Sequence, residues 1–320
     1  MQQVRAVVSA ELDAVNAVII DQLQSDVEMV ENVGQYIVDA GGKRLRPMLV
    51  LLSAAALGGT SEAQIKFAAV VEFIHTATLL HDDVVDVSEL RRGRPTANSA
   101  FGNAPSVLVG DFLYTRAFQL MVSLENHALL KMMADTTNTI AAGEVLQLIR
   151  AGDAATSESQ YYDVIDRKTA ALFAAGCEGA ALLAGARAEQ VEQLRRCGRN
   201  IGVAFQLIDD LLDYEGDPAL TGKNVGDDLA EGKTTLPLIH VMREGSDEEA
   251  AMVRNAIVGK DRDRLPEIMQ AVQRCGSLDY TRAAALQCRD EALKALATLA
   301  PSRARDALER LANLSIQRSA

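Results

Sequence analysis

The chain has no tryptophan, and aromatic residues make up only 4% of it. That excludes a core built on large aromatic side chains. Small-residue runs such as Ala54-Ala55-Ala56 and Ala170-Ala171 are left as contact surfaces, which suits closely packed helices. Cysteine is sparse: Cys177, Cys197, Cys275 and Cys288 show no C-x-x-C spacing. A disulfide framework and a zinc cluster are both excluded, and a reducing cytoplasm is the expected location. Positive charge is in deficit, with a formal net charge of −12, so a nucleic-acid partner, which needs a basic face, is not expected. No run of eighteen apolar residues occurs, so no membrane anchor is expected. The opening Met1-Gln2-Gln3-Val4-Arg5, followed by Glu11 and Asp13, is unlike a signal peptide. There is no Walker-type glycine loop, dinucleotide fingerprint or Ser/His/Asp arrangement.

What is present is 48% hydrophobic residues over 320 positions, ample for a sizeable core, although length alone does not separate one domain from two. Apolar residues recur at three and four, predicting helices over 4–38, 48–57, 62–86, 106–123, 128–149, 157–183 and 188–214, and again beyond Pro237. Gly, Pro and Asn mark loops at 88–98 and 215–232, the latter a candidate lid over a charged ligand. No strand is predicted and no linker divides the chain. The expected architecture is all-α, a single domain over 1–320.

Two stretches organise the rest. Leu79-Leu80-His81-Asp82-Asp83-Val84-Val85-Asp86 is echoed by Leu207-Ile208-Asp209-Asp210-Leu211-Leu212-Asp213. In each, the first and last aspartates are one helical turn apart on the same face, where like charges repel. Set in apolar helices instead of on a wet surface, they need a cation between them. All-oxygen donors, few per ion, favour Mg²⁺ completed by water and phosphate oxygens. Cations are gathered nearby. Lys43-Arg44-Leu45-Arg46 follows Gly41-Gly42 and precedes Pro47 at a helix start, a good phosphate site. Arg91-Arg92 follows the first acidic turn. Metal-clamped diphosphate without a protein nucleophile points to diphosphate as a leaving group, departing from an allylic carbon.

Gly41-Gly42-Lys43-Arg44-Leu45-Arg46-Pro47, the two aspartate motifs, Arg91-Arg92-Gly93, Gly143-Glu144, Lys168-Thr169, Phe205-Gln206 and Gly232-Lys233 together resemble the trans-prenyl diphosphate synthases, over nearly the whole chain. Within that family, the segments 74–81 and 109–116 most resemble the bacterial octaprenyl diphosphate synthases that make quinone side chains. The resemblance implies an isoprenoid-synthase bundle around a large central cavity and a homodimer. Asp82, Asp83 and Asp86 would hold Mg²⁺ on the allylic diphosphate, with Asp209, Asp210 and Asp213 opposite. Lys43, Arg46, His75 and Arg92 would bind isopentenyl diphosphate. Arg91, Lys168, Thr169, Gln206, Lys223 and Lys233 would bind the allylic substrate, with farnesyl diphosphate as primer. Asp82, Asp86, Lys168, Asp209 and Asp210 are the implied catalytic set. Ala77 and Thr78, with Met121 and Met133 at the floor, would set a long, octaprenyl- or nonaprenyl-type product. The alternatives are a shorter-chain synthase, a terpene cyclase, which gives no reason for the 41–47 cluster, and a non-catalytic subunit, which need not keep six aspartates.

Overall fold

A computed structural model describes residues 1–39, 41–91, 93–215 and 225–317. Arg92 and Lys223 lie outside the described residues. The first nine helices are α1 (Gln2–Arg5), α2 (Ser9–Gln22), α3 (Glu28–Asp39), α4 (Leu45–Ala56), α5 (Glu62–Val85), α6 (Ala97–Phe101), α7 (Asn103–Ser123), α8 (His127–Arg150) and α9 (Glu158–Ile165). Next along the chain are α10 (Ala171–Leu183), α11 (Ala188–Glu215), α12 (Asp227–Glu231), α13 (Leu236–Glu244), α14 (Asp247–Gly259), α15 (Leu265–Arg274), α16 (Ser277–Leu296) and α17 (Arg303–Ile316). The fold is all-α, as the periodicity predicts. One exception lies in the 88–98 loop, where β1 (Leu90–Arg91) and β2 (Arg94–Pro95) pair antiparallel. The pattern gave no sign of these strands, because two-residue strands are too short to alternate. In the 215–232 stretch the described part is not all loop, since α12 occupies its end.

The chain forms two compact units. The first comprises Met1–Asp135, Leu172–Gly198 and Lys294–Leu311. Its centre is α5, which packs on α7, α4 and α2. Phe67, Val70, Val71, Phe73, Ile74, Ala77 and Leu80 are all buried on α5, each large apolar side chain contributing roughly 1.5–3 kcal/mol. Among the described helices, α5 alone is apolar and long enough to cross a membrane by composition, and 61% of that stretch is buried inside the protein. The helix starts with a capping box from Ser61 and Gln64.

α5 ends at the first acidic turn. Ser88 N–H reaches Asp83 O at 2.9 Å and Val87 N–H reaches Val84 O at 3.4 Å, a Schellman closure whose left-handed position favours glycine. Here it is Val87, at φ 53° and 78% exposed. A β-branched residue is strained there. Val87→Gly is therefore expected to raise unfolding free energy by about 1 kcal/mol in thermal or urea denaturation; an unchanged or lowered stability would contradict this cap.

The second unit comprises Thr136–Ala171, Arg199–Leu293 and Ala312–Ala320. Two apolar clusters build it. Tyr214, Leu229, Leu238, Val241, Val253, Ile257 and Ile268 form one; Tyr161, Ile165, Val203, Leu207, Ile208, Leu236 and Ile239 form the other. Both include residues around the second acidic turn, which is thereby anchored in core.

Candidate active site

In the first unit, the acidic turn is fixed by the crossing of α5 and α7. His81 lies against Gly110, where a Cβ would come within 2.3 Å of its Nε2, so any larger residue there would have to push the His81 ring aside. Ser106 Oγ donates to Leu80 O at 3.1 Å, and His81 Nε2 lies 3.2 Å from Val107 O. The three aspartates then separate by burial. Asp83 is 4% exposed and both its oxygens accept from Arg91, Nε to Oδ1 at 2.9 Å, Nε to Oδ2 at 3.2 Å and Nη2 to Oδ1 at 2.7 Å. Asp82 and Asp86 are only half-buried. Asp83 and Arg91 are thus engaged with each other, where sequence reasoning assigned one to metal and the other to substrate.

The basic run sits beside α5 in the same unit. Arg46 Nη1 donates to His75 Nε2 at 3.0 Å, and its guanidinium carbon is 4.4 Å from the centre of the Phe173 ring. Accepting from Arg46 requires a neutral His75 ring. Lys43 is exposed. Thr78 is half-buried, whereas Ala77, Met121 and Met133 are fully buried.

In the second unit, Lys168 and Thr169 lie in a π-helical turn, Asp166–Ala170, joining α9 to α10. The periodicity predicts one uninterrupted helix over 157–183; the π-turn interrupts it, a feature frequent at functional sites. Gly143 makes the turn possible, because a Cβ there would be 2.8 Å from Arg167 Cβ and 2.9 Å from Lys168 N. Lys168 pairs with the neighbouring Glu144. Thr169 Oγ1 donates to Gln206 Oε1 at 2.9 Å, and Gln206 Nε2 donates to Asp210 Oδ1 at 2.7 Å. The other oxygen, Asp210 Oδ2, accepts from Tyr161 Oη at 2.5 Å. Sequence reasoning missed Tyr161, since nothing local marks a tyrosine 49 positions from its partner.

Burial pushes the Asp210 carboxyl well above its usual range, and the charges of Asp228 and Asp209 add to that. Asp213 accepts from the N–H groups of Asp227 at 3.2 Å and Asp228 at 3.3 Å, capping α12 where the helix dipole favours an anion. Lys233 pairs with Glu231 and, at 3.9 Å, with Asp228. Among the described residues no three or more acidic, His or Cys side chains converge as a preformed cage. The carboxylate-only donors nevertheless fit Mg²⁺, which is held by one or two carboxylates and completed by water and phosphate; the excess acid at Asp210 is the feature a cation would relieve.

Residues 27–275 match the polyprenyl synthetase family. Over 99% of its length the chain is 50% identical to octaprenyl diphosphate synthase of Escherichia coli, covering 99% of that protein. The chain belongs to the polyprenyl synthetase family. This polyprenyl synthetase is a prenyltransferase. It is 46% identical, over 99% of its length and 98% of the relative's, to an all-trans-nonaprenyl-diphosphate synthase (geranyl-diphosphate specific) of Rhodobacter capsulatus. A crystal structure of a Caulobacter crescentus polyprenyl synthase, complexed with calcium and isoprenyl diphosphate, superposes with a TM-score of 0.96 at 43% identity, covering 100% of this chain and 98% of that one. The bound calcium there is a hard cation that, like Mg²⁺, takes oxygen ligands.

Proposed function

We propose that this polyprenyl synthetase is a long-chain trans-prenyl diphosphate synthase. It adds isopentenyl diphosphate to an allylic diphosphate, with farnesyl diphosphate as primer, and yields an octaprenyl- or nonaprenyl-type diphosphate for quinone side chains such as that of ubiquinone. The observation that carries this is the second acidic turn. A buried Asp210, positioned by Tyr161 and Gln206 and crowded by Asp209 and Asp228, adjoins the π-turn that sets Lys168 and Thr169.

When bound, Mg²⁺ would neutralise charge on the diphosphate and on Asp82, Asp86, Asp209 and Asp210. Lys168, Lys233 and Arg91 supply further positive charge to the departing group; Thr169 and Gln206 orient it. Lys43, Arg46, His75 and Arg92 hold isopentenyl diphosphate. The allylic C–O bond breaks with its electron pair leaving on diphosphate. The alkene of isopentenyl diphosphate then attacks the allylic cation, and a proton passes from the new chain to the departed diphosphate. No side chain becomes a covalent nucleophile.

Incubation with labelled isopentenyl diphosphate, farnesyl diphosphate and Mg²⁺ is expected to give long-chain alcohols after dephosphorylation, sized by chromatography, and none in excess chelator. Short-chain products would favour a farnesyl- or geranylgeranyl-type synthase, and total inactivity a non-catalytic subunit. Preference for geranyl diphosphate would correct the primer alone. Cytoplasmic location fits the four free cysteines. The homodimer belongs to the same proposal: α7 carries exposed Leu108 and Val122, and Tyr114, Phe118 and Val122 line an apolar hollow on its surface. Light scattering should return twice the 34.4 kDa chain mass.

A further inference from the structure

We propose that the Arg44–Glu72 ion pair is a positioning element that sets Lys43 and Arg46 for isopentenyl diphosphate; the inference rests on the functional reading above. Arg44 is the residue before α4 and stands at φ 49°. This left-handed conformation is disfavoured for a residue with a Cβ, so something must hold it. The holder is Glu72 on α5, whose Oε1 accepts from Arg44 Nη1 at 2.6 Å, with side-chain exposures of 16% and 10%. One helical turn further on, His75 receives Arg46. Residues three apart share a helix face. The basic run is therefore docked at two points along one strip of the helix that carries Asp82.

Glu72 is 8% exposed and already occupied. As a carboxylate it would repel a diphosphate, so its influence on binding has to run through Arg44. Without the pair, the turn that carries Lys43 would lose its anchor to α5, and Lys43 would lose its register with Arg46, which His75 holds separately. The effect should fall on one substrate and spare the other.

The test is Glu72→Gln, which keeps shape and the acceptor oxygen but removes the charge. The Kd and KM for isopentenyl diphosphate are expected to rise about tenfold. The KM for the allylic diphosphate should stay within about twofold, with kcat within about threefold. Glu72→Asp should recover part of the loss. Breaking a buried pair also destabilises, so the double variant Arg44→Gln with Glu72→Gln is a second arm. It is expected to regain melting temperature while the KM for isopentenyl diphosphate stays high. Unchanged isopentenyl diphosphate affinity in Glu72→Gln overturns the proposal. So does an equal rise in both KM values, or a double variant whose affinity recovers with its stability. If the wild-type enzyme binds isopentenyl diphosphate but makes no longer product, the functional reading fails and the Kd comparison still decides this one.

Discussion

Asp82→Asn is expected to lower kcat by about 10³-fold or more with the unfolding midpoint unchanged, whereas Asp83→Asn should lose stability first and activity much less. The two residues are adjacent in sequence and identical in type, so the difference comes from the roughly 100° that separates neighbours on a helix. Asp82 is half-buried and shares a face with Asp86, one turn on. Removing its charge takes away a donor for Mg²⁺ that matters most as the diphosphate departs, and such electrostatic contributions are large where water is excluded. Asp83, by contrast, is 4% exposed and holds both the Nε and Nη2 of Arg91. Its substitution strands a guanidinium that is 35% exposed. Partial screening limits the loss to about 1–2 kcal/mol. Steady-state kinetics and thermal denaturation of both variants decide the matter. Equal kinetic losses would mean that Asp83 joins the metal site after exchanging Arg91 for the ion.

The second large effect is expected on product length. Ala77→Phe should turn a long-chain product into a short one, because Ala77 lies five residues before Asp82, about 7.5 Å along α5. The growing chain must pass this level if it extends away from the first acidic turn. Ala77 is fully buried, so a phenyl ring has to displace its neighbours, at a loss of about 1–3 kcal/mol of stability. Thr78 Oγ1 is tied to His75 O at 2.8 Å, which leaves its methyl as the apolar surface; Thr78→Ala should therefore keep a long product. Chromatography of the dephosphorylated alcohols reads both variants. A product of unchanged length from Ala77→Phe would place the chain elsewhere.

Much of the site was legible before any coordinates, for a physical reason. Aspartates one turn apart within apolar helices advertise a cation, and glycines beside a basic run advertise phosphate. Those signals are local, and the helices that carry them follow from local periodicity. What could not be read was how residues of one type divide their labour. Asp83 turned to Arg91, and Asp213 turned to the α12 amides. The strained cap at Val87 and the π-turn at Lys168 were equally silent, since neither alters the spacing of apolar residues enough to be noticed.

By itself, the sequence determined the all-α class, the two acidic turns, the basic run and the diphosphate chemistry they imply, because helix period and charge repulsion act within a few residues. Only the tertiary structure decided which carboxylates are held by partners, that Tyr161 and Gln206 grip Asp210, and that Arg44 is fastened to Glu72. Those pairings join residues from 8 positions apart, as Asp83 and Arg91, to 49 apart, as Tyr161 and Asp210, or, as with Gln206 and Asp210, depend on how deeply a shared helix is buried. Burial and long-range contact belong to packing, which no local spacing encodes.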